Sequence, residues 1–231
     1  MVDNVLAILR MGEELADLAA VQFDGVTDPA GIAPATTRIV ARAEALLSAR
    51  PNGGHDVRIA CGPGCMTCCI VNVSVLVPEA WTIAAWLRQR LGTGEADRLA
   101  ERLAAAARAI RWLDDADRIR GAVTCPFLDG RGWCSIHPVR PLMCRALTSI
   151  DAAQCRRALE SRTSDEDVAL ECNLFQKYLM EQAYRAVAAA LERRGMDSAG
   201  RELVGTVARF LNEPRLADEF LAGRLITLPE S

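Results

Sequence analysis

The sequence predicts a mainly α-helical fold, a helical bundle around two cysteine-rich irregular loops with at most a short extended segment. Three observations point there. Alanine and leucine are common and aromatics make up only 5% of the chain, a balance that favours helix over sheet. Apolar residues recur at helical spacing through most of the chain. The main interruptions are two irregular stretches, and these hold seven of the nine cysteines. With 231 residues, 51% of them apolar, the chain can bury a sizeable core as one folded unit.

The elements follow in order. Residues 2–21 read as an amphipathic helix, with Val5, Leu6, Leu9, Leu15 and Leu18 near helical spacing. A turn-rich stretch, 24–34, precedes a second helix at about 35–48. The cluster Pro51-Asn52-Gly53-Gly54 marks a boundary between an N-terminal helical arm, 1–54, and a cysteine core, 55–160. The core opens with the tight loop Cys61-Gly-Pro-Gly-Cys65-Met-Thr-Cys68-Cys69. Residues 70–77 alternate and are β-branched, as a short extended segment requires. Pro78 and Glu79 then open a helix that stops near Gly92, because proline costs little in a first turn. Thr93 is placed to cap the next helix, which runs through Leu99, Leu103 and Ile110 toward Ile119. The second irregular region is 121–145. Helices at about 152–162, 165–194, 199–211 and 216–222 follow, and residues 161–231 are expected to pack on the core.

The bulk properties exclude several functions. The formal charge is −3, so no basic field marks the chain for nucleic acid. No stretch approaches the roughly 18 apolar residues of a membrane span. The first residues lack the basic, then apolar, pattern of a signal peptide, so a cytoplasmic location is expected. A reducing cytosol disfavours disulfides, and nine cysteines do not pair evenly. Thiols in that setting more often serve metals or redox chemistry.

The first loop has the pattern C-x3-C-x2-C-C, from Cys61, Cys65, Cys68 and Cys69, and the second C-x8-C-x9-C, from Cys125, Cys134 and Cys144. Thiolate is a soft ligand, and an all-sulfur tetrahedral set suits zinc or an iron–sulfur cluster. Gly- and Pro-rich loops gain stability when a metal clips them together. Cys155 is the candidate eighth ligand. Cys172 sits in a helical stretch where a cysteine can serve as a small buried apolar residue. Thiolates concentrate negative charge, and Arg131, Arg140, Arg145, Arg156 and Arg157 lie near enough in sequence to offset it.

These residues resemble a known family. The four-cysteine loop, then Val75-x3-Glu79, then Cys125-Pro-Phe-Leu-x5-Cys134-Ser-Ile-His137-x2-Arg140-Pro-x2-Cys144-Arg145, is similar to the YkgJ or CxxCxxCC family over residues 61–145. The resemblance implies a zinc- or iron-chelating domain. It departs from the family pattern in the first gap, three residues instead of two, and in His137, where the family usually has tyrosine. Flagellin lysine N-methylase is similar to this family too, which implies an iron–sulfur link. The chain has no Gly-rich strand–loop–helix for S-adenosylmethionine, so methyl transfer is not carried over.

Competing readings are weaker. Cys61-x3-Cys65-x2-Cys68 also matches the radical S-adenosylmethionine motif, but the alternating β/α pattern of that barrel is absent. Cys65-Met-Thr-Cys68 has the spacing of a thiol redox pair without a thioredoxin-like βαβ setting. His55 and His137 are the only histidines, His55 being expected at the surface and His137 as a ligand, an outer-shell donor or a packing residue. The acidic pairs Asp114-Asp115 and Glu13-Glu14 read as solvated charge. The sequence therefore predicts metal binding through Cys61, Cys65, Cys68, Cys69, Cys125, Cys134, Cys144 and Cys155. An iron–sulfur cluster is favoured over zinc, with a role in electron transfer or redox sensing and no catalytic residue identified. A closed structural zinc module for protein interaction is the alternative.

Overall fold

The computed structural model describes residues 2–50, 58–62, 64–161 and 170–227. The Pro51–Gly54 boundary, His55 and the expected helix start near residue 165 lie outside them. Two long helices, α1 (Val2–Asp24) and α2 (Pro29–Ser48), lead the chain. The second begins six residues earlier than expected. Asp28 caps it by accepting from the Gly31 amide at 3.1 Å, and Pro34 is tolerated early in the helix, where its missing N–H removes one bond.

The chain then passes through the first cysteine loop to a two-residue strand, β1 (Ser74–Val75). The extended segment is thus shorter than the 70–77 expected. Its partner is β2 (Arg201–Glu202), antiparallel, with Ser74 opposite Glu202 and Val75 opposite Arg201. Helix α3 (Val77–Leu91) follows, then α4 (Thr93–Ile110). Gly92, at φ +73°, both ends α3 and caps α4, so Thr93 is the first residue of the helix and not its cap. The helix expected to reach Ile119 ends at Ile110, and a separate α5 (Asp115–Arg120) restarts behind an Asp114 cap that accepts from Asp117 N at 2.8 Å.

The second irregular region contains a 3-10 turn, His137–Val139, and a short helix, α6 (Leu142–Ala146). The remaining helices are α7 (Ala152–Glu160), α8 (Leu174–Arg193), α9 (Leu203–Asn212) and α10 (Leu216–Leu221). Asn173 sets the start of α8 by accepting from Gln176 N at 3.0 Å.

The helices pack in two groups. In one, α1 lies along α8, burying Leu15, Ala19 and Phe23 on one side and Leu179, Ala183 and Val187 on the other. In the other, α9 packs on both α3 and α4, with Phe210 edge-on to Trp81 at 5.6 Å between ring centroids. The two groups meet at α2, which packs on α3 and α8, and Trp81 Nε1 donates to Pro29 O at 3.0 Å. The cysteine loops lie where these groups, β1–β2 and α6 come together. Among the described residues, no helix is long and apolar enough to cross a membrane.

Candidate metal centre

The first loop is anchored at both ends by main-chain bonds to distant sequence. At its start Ala60 N donates to Ser149 O at 2.8 Å, and Ser149 N donates to Cys61 Sγ at 3.3 Å. At its end Cys69 O accepts from Cys125 N at 2.7 Å, which joins the two loops directly. Between these anchors the backbone turns tightly, with Cys65 N bonded to Gly62 O and Cys69 N to Met66 O.

The second loop is shaped by its own short bonds. Leu128 and Cys134 form an antiparallel bridge. Asp129 closes the turn between them, accepting from Arg131 N and Trp133 N, each at 2.9 Å. Phe127 and Ile136 are buried and hold the loop to the core. Two glycines allow the loops to meet. Gly132 has φ +76°, and a Cβ there would stand 2.9 Å from Met66 Sδ. Gly64, at φ +82°, lies against the Trp133 indole, 3.5 Å from where its Cβ would be. A side chain at either would strain the backbone.

The third part of the site comes from α6. Glu79 is 3% exposed and its two oxygens serve different elements. Oε2 accepts from Leu76 N at 2.9 Å, at the start of α3, and Oε1 from Leu142 N at 2.8 Å, at the start of α6. Cys144 is therefore held in register with the first loop by a carboxyl in the core. Burial pushes that carboxyl up to about 7 against the pull of the two amides.

Cys61, Cys65, Cys68, Cys69, Cys125, Cys134 and Cys144 line one cavity of about 550 Å³. All are free thiols. Cys155 lies outside the cavity wall on α7, yet near enough for its charge to push up the Cys61 thiol. Cys172 lies in non-helical chain just before α8, not in the helical stretch expected for it, because Asn173 caps the helix, and it does not line the cavity. His137 sits at the rim, where partial burial, then Arg140 and Arg145, push its pKa below the usual imidazole value.

The thiols are not equivalent. The neighbouring Cys69 thiol lowers Cys68 to about 7, with Arg140 assisting, while Cys69 itself is raised strongly by Cys68 and by burial. Burial raises Cys61, Cys134 and Cys144, and takes Cys125 up to about 11.

Of the five arginines expected to offset thiolate charge, Arg140 lines the cavity. Arg145 is buried and ion-pairs with Glu44, Arg131 pairs with Asp129 at the surface, and Arg156 and Arg157 are exposed on α7. The cavity has a second arginine that the sequence reading missed, Arg118 of α5, which is 2% exposed. The expected solvated pair Asp114-Asp115 helps to place it. Asp114 caps α5, and Asp115 accepts from Asn72 N at 2.7 Å, while Asn72 Oδ1 accepts from Arg118 at 2.7 Å.

The donor chemistry and the polar surroundings fit a thiolate-ligated metal group. Seven soft donors face one space, and three residues lining it carry a buried side-chain atom with no hydrogen-bond partner, namely Arg118 Nε, Arg140 Nε and Thr148 Oγ1. Among the described residues, no three His, Cys, Asp or Glu side chains stand close enough to hold one ion as they are. Metal uptake thus requires the thiols to move inward across the cavity.

Residues 60–173 match the family model CxxCxxCC, described as "Putative zinc- or iron-chelating domain". Over that segment, just under half of its length, the chain is similar to the CxxCxxCC family. The matched segment reaches past the 61–145 resemblance and takes in α7, so all nine cysteines lie within it. No curated protein and no solved structure matches the chain.

Proposed function

We propose that this cysteine-rich domain chelates iron as an iron–sulfur cluster, through thiolates drawn from Cys61, Cys65, Cys68, Cys69, Cys125, Cys134, Cys144 and Cys155, in a cytoplasmic protein of electron transfer or redox sensing. The observation that carries the reading is the meeting of seven cysteines from separated parts of the chain around one cavity. A bound cluster supplies one-electron chemistry. The protein's part is to hold the thiolates, exclude bulk water on the Phe127 and Ile136 side, and balance charge. The first-loop pattern C-x3-C-x2-C-C resembles cluster binders more than zinc ribbons, which pair two short C-x-x-C knuckles, and this favours a cluster. One cluster or one zinc ion uses four thiolates, so eight candidates allow two centres.

Zinc is the second reading, because an all-thiolate set serves it equally well by donor type. It would make the domain a structural module for protein interaction. The radical S-adenosylmethionine reading finds no support in a mainly helical architecture whose sheet, among the described residues, is one two-residue strand pair.

Purification without oxygen, followed by metal analysis and an optical spectrum, tests the proposal. Iron with broad visible absorption that bleaches on reduction is expected. Stoichiometric zinc with no visible absorption would replace the cluster by the structural module. A chain that takes up neither metal would end both.

A further inference from the structure

Among the described residues, six buried side-chain nitrogen and oxygen atoms lack a hydrogen-bond partner. Three belong to residues lining the cysteine cavity, Arg118 Nε, Arg140 Nε and Thr148 Oγ1. Buried donors without acceptors are costly, about 1–3 kcal/mol each and more for charged groups, and native proteins rarely gather them in one place. The pointer to a ligand is the lining as a whole, two guanidinium groups in the same wall as seven thiols, a pairing of charges that suits an anionic group in the space.

Arg118 is the clearest case. It is 2% exposed, and Asn72 holds one of its terminal nitrogens at 2.7 Å. Asn72 is itself fixed by Asp115 and by Leu113 O, so the guanidinium is held in place with Nε unsatisfied. A nearby carboxylate, Glu202, also lines the cavity. Both its oxygens are taken by the first amides of α9, Val204 N at 2.9 Å and Gly205 N at 2.6 Å, so it is committed as a helix cap. Both guanidinium groups share the cavity wall with the seven thiols.

We infer that Arg118, Arg140 and Thr148 form a donor set for the sulfur atoms of an anionic metal–thiolate unit, the two guanidinium charges balancing it. The charge count agrees. A divalent ion with four thiolates carries −2, and so does a [4Fe–4S]2+ cluster with four thiolates. Two arginines offset either one. Arg118 and Arg140 are then positioning residues that act on the metal through its ligands, and this role rests on the metal-chelating reading.

The test uses the full chain, stripped of metal and titrated anaerobically with cobalt(II) against a competing chelator, with binding read from thiolate-to-cobalt absorption. Arg118→Gln and Arg140→Gln are each expected to weaken cobalt binding about 10–100-fold, as loss of an outer-shell partner does. Arg118→Lys and Arg140→Lys should recover most of that loss by restoring charge. Far-UV circular dichroism of the metal-free variants should remain helical, and if Arg118→Gln loses that signal, the less buried Arg140 decides the matter. Unchanged cobalt affinity in folded glutamine variants would overturn the inference, and so would lysine variants no tighter than the glutamine ones. A parent protein that takes up no cobalt, and no iron with sulfide under oxygen-free reducing conditions, would instead overturn the metal-chelating reading itself.

Discussion

Cys68 and Cys69 are neighbours in sequence with opposite chemistry. Cys68 is exposed and lowered to about 7 by the adjacent Cys69 thiol, whereas Cys69 is raised by Cys68 and by burial. The reactive species of a thiol is its thiolate. Iodoacetamide should therefore label Cys68 first in the metal-free protein at neutral pH, as read by peptide mass spectrometry, and metal loading should suppress that labelling. The buried thiols imply a second outcome. Cys125 moves from an ordinary value near 9 up to about 11 through burial, and ligation requires its proton to leave. Metal affinity should rise with pH, with proton release on titration. For the metal-free fold the sign is reversed. A raised thiol pKa adds stability that is complete below about 9 and lost as pH climbs through about 11. Thermal melts of the chelated protein should fall across that interval. None of these differences can be read from the cysteine spacing, because they arise from burial and from partners far away in sequence.

At the scale of elements, Glu79 joins the starts of α3 and α6. Glu79→Ala would leave two buried amides without acceptors, at about 1–3 kcal/mol each. A loss of about 2–5 kcal/mol in urea unfolding is expected, together with weaker metal retention, since α6 carries Cys144. The carboxyl, raised to about 7 by burial, contributes stability that is full below its ordinary 4.5 and lost as pH rises through 7. Glu79→Gln should remove that part of the pH profile. The helices themselves were largely legible in the sequence, since apolar spacing survives in almost every one. Their ends were not, because caps decide them. Asp28 starts α2 ahead of a proline that reads as a breaker, Gly92 takes the role expected of Thr93, and Asp114 restarts a helix that spacing alone would continue. Glu79 was visible as part of a family pattern, but its bond to Leu142 is a long-range fact.

For the molecule as a whole, metal binding and folding are linked. A ligand that binds only the folded state at about one hundred times its Kd adds about 2.7 kcal/mol. The loaded protein should melt above the chelated one by calorimetry, and the gap should shrink in Arg118→Gln. Both cysteine loops were legible from residue type and spacing, and so was their convergence, seen in the structure as seven thiols around one cavity. Arg118 was not, because on a short helix seven positions before Cys125 it reads as one more surface cation. The β1–β2 pairing was also hidden, because two-residue strands carry no periodic signal and their partners lie more than a hundred positions apart.

That pairing has a consequence for how the protein is made. Glu202, Leu203 and Val204 line the cavity, yet they follow the last cysteine, Cys172, by some thirty positions. On the ribosome the thiols of the two loops emerge before the part of the cavity wall that residues 202–204 supply has been made. Closing of the cavity over the thiols is therefore a late step in folding, one that waits for residues 202–204.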